Sequence, residues 1–248
     1  MKLIVNADDF GYSKGVNLGI IEAHRAGVVT STTTMVNMGG FEHAVQLARE
    51  TPTLGVGIHL VLTCGAPVSH DVPSLTDEHG RFHRGYDYLG TTSPEDVERE
   101  LRSQIEKYLA TGLTPTHIDS HHHVHAHAAI LPIVLRLAQE YRLPVRNPWG
   151  FQAGEREKQP DVLTTEGFSH RFYGEDLSVQ TFFDIVEELA DCSVAEMMTH
   201  PAYLDEAILT GSSYALPRTR ELQILTAKEI KEYVQTRQIQ LVTFKELG

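Results

Sequence analysis

Leu3-Ile4-Val5-Asn6-Ala7, followed at once by Asp8-Asp9-Phe10-Gly11, reads as a buried strand that runs into two carboxylates and a flexible turn. A helix follows it. Ser13 is placed to cap its start, Val16, Ile20, Ala23 and Ala26 recur on related faces, and Gly27 stops it. The same strand-then-helix unit returns along the chain. Residues 28–36 are rich in Val and Thr and read as a strand, 41–49 as a helix and 54–60 as a third strand. Ser93-Pro94-Glu95-Asp96 joins a capping serine to a proline in the first turn, and the helix it opens spaces Val97, Leu101, Ile105 and Leu109 four apart. Beyond it, strands are expected at 116–120, 143–147, 195–199 and 239–243, and helices at 129–141, 181–190 and 227–237. About seven strands alternating with helices predict a parallel sheet wrapped by helices, open or closed into a barrel.

The length of 248 residues fits one domain of this kind, spanning 1–248, with no internal repeat and no linker-like tract. Two segments resist assignment: 63–92, rich in Gly, Pro, His and Asp, and 150–176, polar with scattered aromatics. Loops of that length in a compact domain usually form lids or substrate walls. The formal charge of −12 argues against nucleic acid or an anionic membrane as partner. Cys64 and Cys192 are too few for a disulfide framework or a four-cysteine zinc site. The apolar run at the N-terminus is too short for a signal peptide, and no stretch is long enough to span a bilayer, so a soluble, cytoplasmic protein is expected. One count stands out: 14 histidines, the side chain most often found on metals and the one that titrates nearest neutral pH.

In parallel α/β folds ligands bind beyond the carboxyl ends of the strands. Five expected strand ends carry chemistry: Asp8 and Asp9, His59, the tract His117-Ile118-Asp119-Ser120-His121, Arg146, and His200. Successive strand residues point to opposite faces, so Asp8 and Asp9 can share one cleft only where the backbone turns. Their alternative role is to cap the turn that follows. In His121-His122-His123-Val124-His125-Ala126-His127, residue 121 lies on the strand face of His117 and Asp119, and one helical turn would bring it beside His125. His121 is therefore the first choice as a ligand. With Asp9 and His59 it would form a two-histidine, one-carboxylate site with open positions. Motifs for serine hydrolases, P-loop enzymes, zincins and dinucleotide oxidoreductases are absent from the sequence.

Asn6-Ala7-Asp8-Asp9-Phe10-Gly11, Gly57-Ile58-His59-Leu60, the block from Thr116 to His125, and Thr199-His200-Pro201 together resemble the YdjC-like carbohydrate deacetylases over essentially the whole chain. The shorter pieces Gly167-Phe168-Ser169 and Phe172-Tyr173-Gly174-Glu175 resemble them too. The resemblance implies a distorted (β/α) barrel related to the NodB-type deacetylases. It also implies removal of the N-acetyl group from N-acetylglucosamine-containing oligosaccharides, 6-phosphorylated ones included, with release of acetate. Asp9, His59 and His121 would then hold one divalent ion, Mg2+ or Zn2+. Asp8 would be the catalytic base, His200 the general acid, and Arg146 the residue that orients the base. The partner would be a small oligosaccharide, and a homodimer is compatible with the pattern. The related enzymes space paired histidines four apart, which leaves His125 a competitor of His121 as ligand or a residue that supports it. Two other readings fit the same residues: a non-haem iron oxygenase, and a non-catalytic protein whose histidines buffer metal.

Overall fold

A computed structural model describes residues 1–151 and 162–247. Strand β1 (Lys2–Phe10) forms the centre of a seven-stranded parallel sheet. It is flanked by β2 (Ser31–Thr34), β3 (Gly55–Leu60) and β4 (Ile118–Ser120) on one side and by β6 (Val194–Thr199) and β5 (Gly167–Ser169) on the other. The order is β4-β3-β2-β1-β6-β5, and β7 (Gln240–Leu241) pairs with the start of β1. The sheet curls into a half-barrel. Helices α1 (Lys14–Arg25), α2 (Phe41–Glu50), α3 (Pro94–Leu109), α4 (Leu131–Tyr141) and α5 (Val179–Glu188) separate the strands, and α6 (Glu206–Gly211), α7 (Pro217–Leu225) and α8 (Lys228–Thr236) follow β6. Among the described residues no helix is long and apolar enough to cross a membrane.

The two faces of β1 explain why the fold is both stable and polar at its mouth. Leu3, Val5 and Ala7 join the main apolar core, as period-two alternation requires. Ile4 packs instead with Val242 and Phe244 on the concave side. Above that floor the concave face turns polar: the side-chain amide of Asn6 donates to Asp8 Oδ1 at 2.9 Å. The ring of His117 stacks on Phe244, with centroids 3.7 Å apart, and Gly57 leaves the space it needs, because a Cβ there would lie 2.5 Å from that ring. Ser13 caps α1 through a bond from the Val16 N–H, and Ser93 caps α3 through one from Asp96 N–H. Gly15 and Gly19, one turn apart on α1, allow close approach of the backbone at Ala202 and Tyr203, the segment just beyond His200.

Three sequence expectations changed. Residues 143–147 lie along the outer edge of β4 but form only one isolated bridge, Ile118 to Val145, since Pro144 and Pro148 have no N–H to donate. The segment 63–92 contains two short 3-10 turns, Pro73–Leu75 and Asp87–Thr91, and folds against α3, where buried Glu100 accepts from the N–H groups of Val68 and Ser69. Of the expected loop at 150–176, residues 152–161 lie outside the described residues, and the remainder includes β5. Helices α6 and α7 were not anticipated. In α7 the buried face includes Arg218 and Glu221, so its apolar period is broken.

Candidate active site

Asp8 and Asp9 reach the same concave mouth because β1 bulges there. Ala7 pairs with Thr32 and Phe10 with Thr34, so three steps along β1 match two along β2. Asp9 takes up the extra residue with φ 72°, a left-handed value that is uncommon outside glycine. A regular strand would have sent one carboxylate into the core.

The two acids are then held by different partners. Arg146 grips Asp8 with both terminal nitrogens, Nη1 to Oδ2 at 2.7 Å and Nη2 to Oδ1 at 2.6 Å. The same guanidinium lies 2.9 Å from Asp119 Oδ2, and its Nε donates to Glu196 Oε1 at 2.8 Å. All four side chains are buried. Burial works against a charged Asp8, but Arg146 overcomes it and holds the carboxyl well below its usual range. Glu196 is the member pushed up, to about 7, by burial and by the neighbouring Asp119 and Asp8, against the pull of Arg146.

Asp9 is turned the other way. Its Oδ2 accepts from Arg218 Nη2 at 2.6 Å. Its Oδ1 faces two imidazoles, at 3.0 Å from His121 Nδ1 and 3.4 Å from His59 Nε2. The other ring nitrogen of His59 bonds Asp119 Oδ1 at 2.6 Å, which fixes that ring. Ligand atoms of Asp9, His59 and His121 all lie within 4.8 Å of one another, a group able to hold a metal ion. Burial opposes a charge on His59, yet Asp119 and Asp9 push its pKa up to about 10. Two imidazoles and a carboxylate are a donor set that fits a divalent cation. A second triplet, Asp8, His59 and Asp119, is also close enough, but its two carboxylates are already engaged by Arg146.

His200 closes the mouth from the end of β6. Its Nε2 lies 4.0 Å from Asp8 Oδ2, its backbone N–H donates to Glu221, and its Nδ1 lies 3.9 Å from Glu221 Oε1. Burial, followed by the charge of Arg218, lowers its pKa to about 4. Glu221 also accepts from the Tyr214 hydroxyl at 2.6 Å, and burial pushes it up to about 8. Folding thus carries Glu221 into a place that favours its neutral form. That contribution is complete below about 4.5 and is lost as pH rises through about 8. We expect Glu221→Gln to flatten the fall in stability over this window, read as the denaturant midpoint from pH 5 to pH 9. Parallel curves for variant and parent would assign the fall to other groups.

The structure therefore brings Asp8, Asp9, His59, His121, Arg146 and His200 together at one mouth. It separates the remaining histidines of the tract. His122 and His123 have φ of 53° and 55°, so 121–126 is a kinked 3-10 segment and not a regular helical turn. His125 consequently folds back onto Ser120 Oγ, 2.5 Å from its Nδ1, and does not join the Asp9 group. His122 Nδ1 meets Thr63 Oγ1 at 2.9 Å. Arg218, Glu221, Tyr214 and Glu196 were not found from sequence. Glu196 lies inside a largely apolar strand, and the i, i+3 pair Arg218 and Glu221 looks like an exposed helix face.

The strand order and the polar mouth define a curled parallel α/β half-barrel of the kind found in NodB-type carbohydrate esterases and deacetylases. A family 4 carbohydrate esterase from Streptomyces lividans shares the fold at 10% identity, with a TM-score of 0.52 over 98% of this chain and 92% of the other. The family model described as YdjC-like protein matches residues 2–236, and the chain belongs to that family. A protein of Brevibacillus brevis named carbohydrate deacetylase is 71% identical over the whole of both chains. One of the same name from Geobacillus stearothermophilus is 49% identical, covering 98% of this chain and 96% of its own. A crystal structure from Enterococcus faecalis, of a protein provisionally called a cellobiose-phosphate cleavage protein, is 38% identical. It superposes with a TM-score of 0.93 over 100% of this chain and 98% of the other.

Proposed function

We propose that this protein is a metal-dependent carbohydrate deacetylase. Its reaction is hydrolysis of the N-acetyl group of N-acetylglucosamine-containing oligosaccharides, chitooligosaccharides with or without a 6-phosphate, to acetate and a free amine. The observation that carries this reading is the division of labour between adjacent acids, Asp8 clamped by Arg146 and Asp9 turned to His59 and His121. The family membership and the names of the relatives support the deacetylase class.

Asp9, His59 and His121 would hold the ion. When bound, a divalent ion supplies Lewis-acid polarisation of the amide carbonyl and stabilisation of the negative charge that develops on its oxygen. The donor set suits Zn2+ by its imidazoles, whereas Mg2+ would rely more on oxygen ligands. Arg218 engages Asp9 Oδ2 and so leaves Oδ1 to face the imidazoles.

Asp8, ionised and aimed by Arg146, takes a proton from the attacking water as the new C–O bond forms. Arg146 makes that proton weakly held. His200 is neutral at rest, lies 4.0 Å away, and receives it. It then passes the proton to the amine nitrogen as the C–N bond breaks, so the water proton ends on the leaving group. Acid and base assistance of this kind each contribute on the order of 10²–10⁴-fold.

The reading is tested by incubating the protein with N-acetylglucosamine oligosaccharides, with and without 6-phosphate, and measuring acetate and free amine together. Equal amounts of both are expected. Acetate without new amine would point to an O-acetyl ester as the substrate, and neither product would overturn the deacetylase reading.

A further inference from the structure

Tyr173 is half exposed, at 51%, yet one face of its ring is packed. Its ring stacks on Tyr214 with centroids 3.9 Å apart and planes 17° from parallel. Tyr214 is buried beneath it and fixed in turn, since its hydroxyl donates to Glu221 and accepts from the Gly174 N–H at 2.9 Å. Gly174, with φ 118°, makes the turn that presents Tyr173, a conformation open to glycine and costly for other residues. The exposed ring is thus anchored, through its neighbour, to the buried Glu221. Both tyrosine rings also meet His200 edge-on, Tyr173 at 5.6 Å and Tyr214 at 5.8 Å. The stack therefore rises from the proton-donating side of the mouth toward solvent.

We infer that Tyr173 is the platform for a second sugar ring, the unit next to the one whose acetamido group reacts. This inference rests on the deacetylase reading for the identity of its ligand. The acetamido group has to pass His200 to reach Asp8 and Asp9, so the reacting ring sits at the level of His200 and Tyr214. The next ring of a chain extends outward over Tyr173. A pyranose presents a face of C–H groups that can lie flat on an aromatic ring, while its hydroxyls stay in water. The stack selects oligosaccharides over the monosaccharide.

The test uses Tyr173→Ala and Tyr173→Phe in the full-length protein, with the disaccharide and the monosaccharide of N-acetylglucosamine as substrates. Tyr173→Ala should raise KM for the disaccharide by about tenfold with little change in kcat, and leave the monosaccharide's kcat/KM unaltered. Tyr173→Phe keeps the flat ring and should retain the parent's behaviour on both. Equal losses on both substrates would mark Tyr173 as a support of His200 and overturn the platform, as would no loss on either. In parallel, saturation-transfer NMR records contact between aromatic protons and the deacetylated disaccharide, which needs no turnover. If that contact is present and lost in Tyr173→Ala while the parent protein releases no acetate, the platform stands and the deacetylase reading fails.

Discussion

Asp8→Asn should bind the divalent ion as the parent does and release acetate about 10²–10⁴-fold more slowly, the usual worth of a general base. Asp9→Asn should lose both metal and acetate release. The two residues are neighbours with the same side chain, so bulk effects of removing one negative charge are nearly matched. Their surroundings differ: Asp8 lies between the two terminal nitrogens of Arg146, and Asp9 Oδ1 lies between two imidazoles. Metal content by mass spectrometry of the native protein, beside an acetate assay, separates the outcomes. Equal metal loss in both variants would refute separate roles.

Arg146→Met should be the most damaging single change to the fold. Arg146 faces Asp8, Asp119 and Glu196 at once, all buried beside it. Removing one partner of a buried ion pair costs about 3–5 kcal/mol, because the remaining charges are left uncompensated. The variant should relieve part of this cost by protonating its carboxylates, so its deficit should shrink as pH is lowered. Arg146→Lys separates stability from function. It restores one positive charge but cannot grip Asp8 with two parallel bonds. It should recover much of the stability while acetate release stays low. A denaturant titration at pH 5 and pH 8 checks the first claim and the acetate assay the second. An Arg146→Met protein within about 1 kcal/mol of the parent would mean the carboxylates are not charged as described.

The parts of this structure that were legible in sequence are those set by local pattern. The strand ending at Asp8-Asp9 and the caps Ser13 and Ser93 follow from alternation and capping. That the adjacent acids converge depends on a bulge, and sequence offered only the general rule that a strand end turns. His125 was a rival to His121 on helical spacing. Left-handed residues at 122 and 123 remove that spacing, and nothing in the residue types announces them. Arg218 and Glu221 were missed for a different reason. Charged residues on a short C-terminal helix normally face water, and only the packing of α7 under the mouth buries them. The histidine excess overstated how many imidazoles meet at the mouth. His117 lies on the barrel floor against Phe244, and His125 is turned to Ser120. Such dispersal does not favour a protein built to buffer several ions.

One divalent ion, held by Asp9, His59 and His121, should be needed for deacetylation. The direct measurement strips the protein with a chelator, returns Zn2+ or Mg2+ in steps, and follows bound metal and acetate release on the same samples. Acetate release should be lost on stripping and should return in proportion to metal, saturating at one ion per chain. Full acetate release from the stripped protein, or activity that keeps rising as several ions bind, would contradict that requirement.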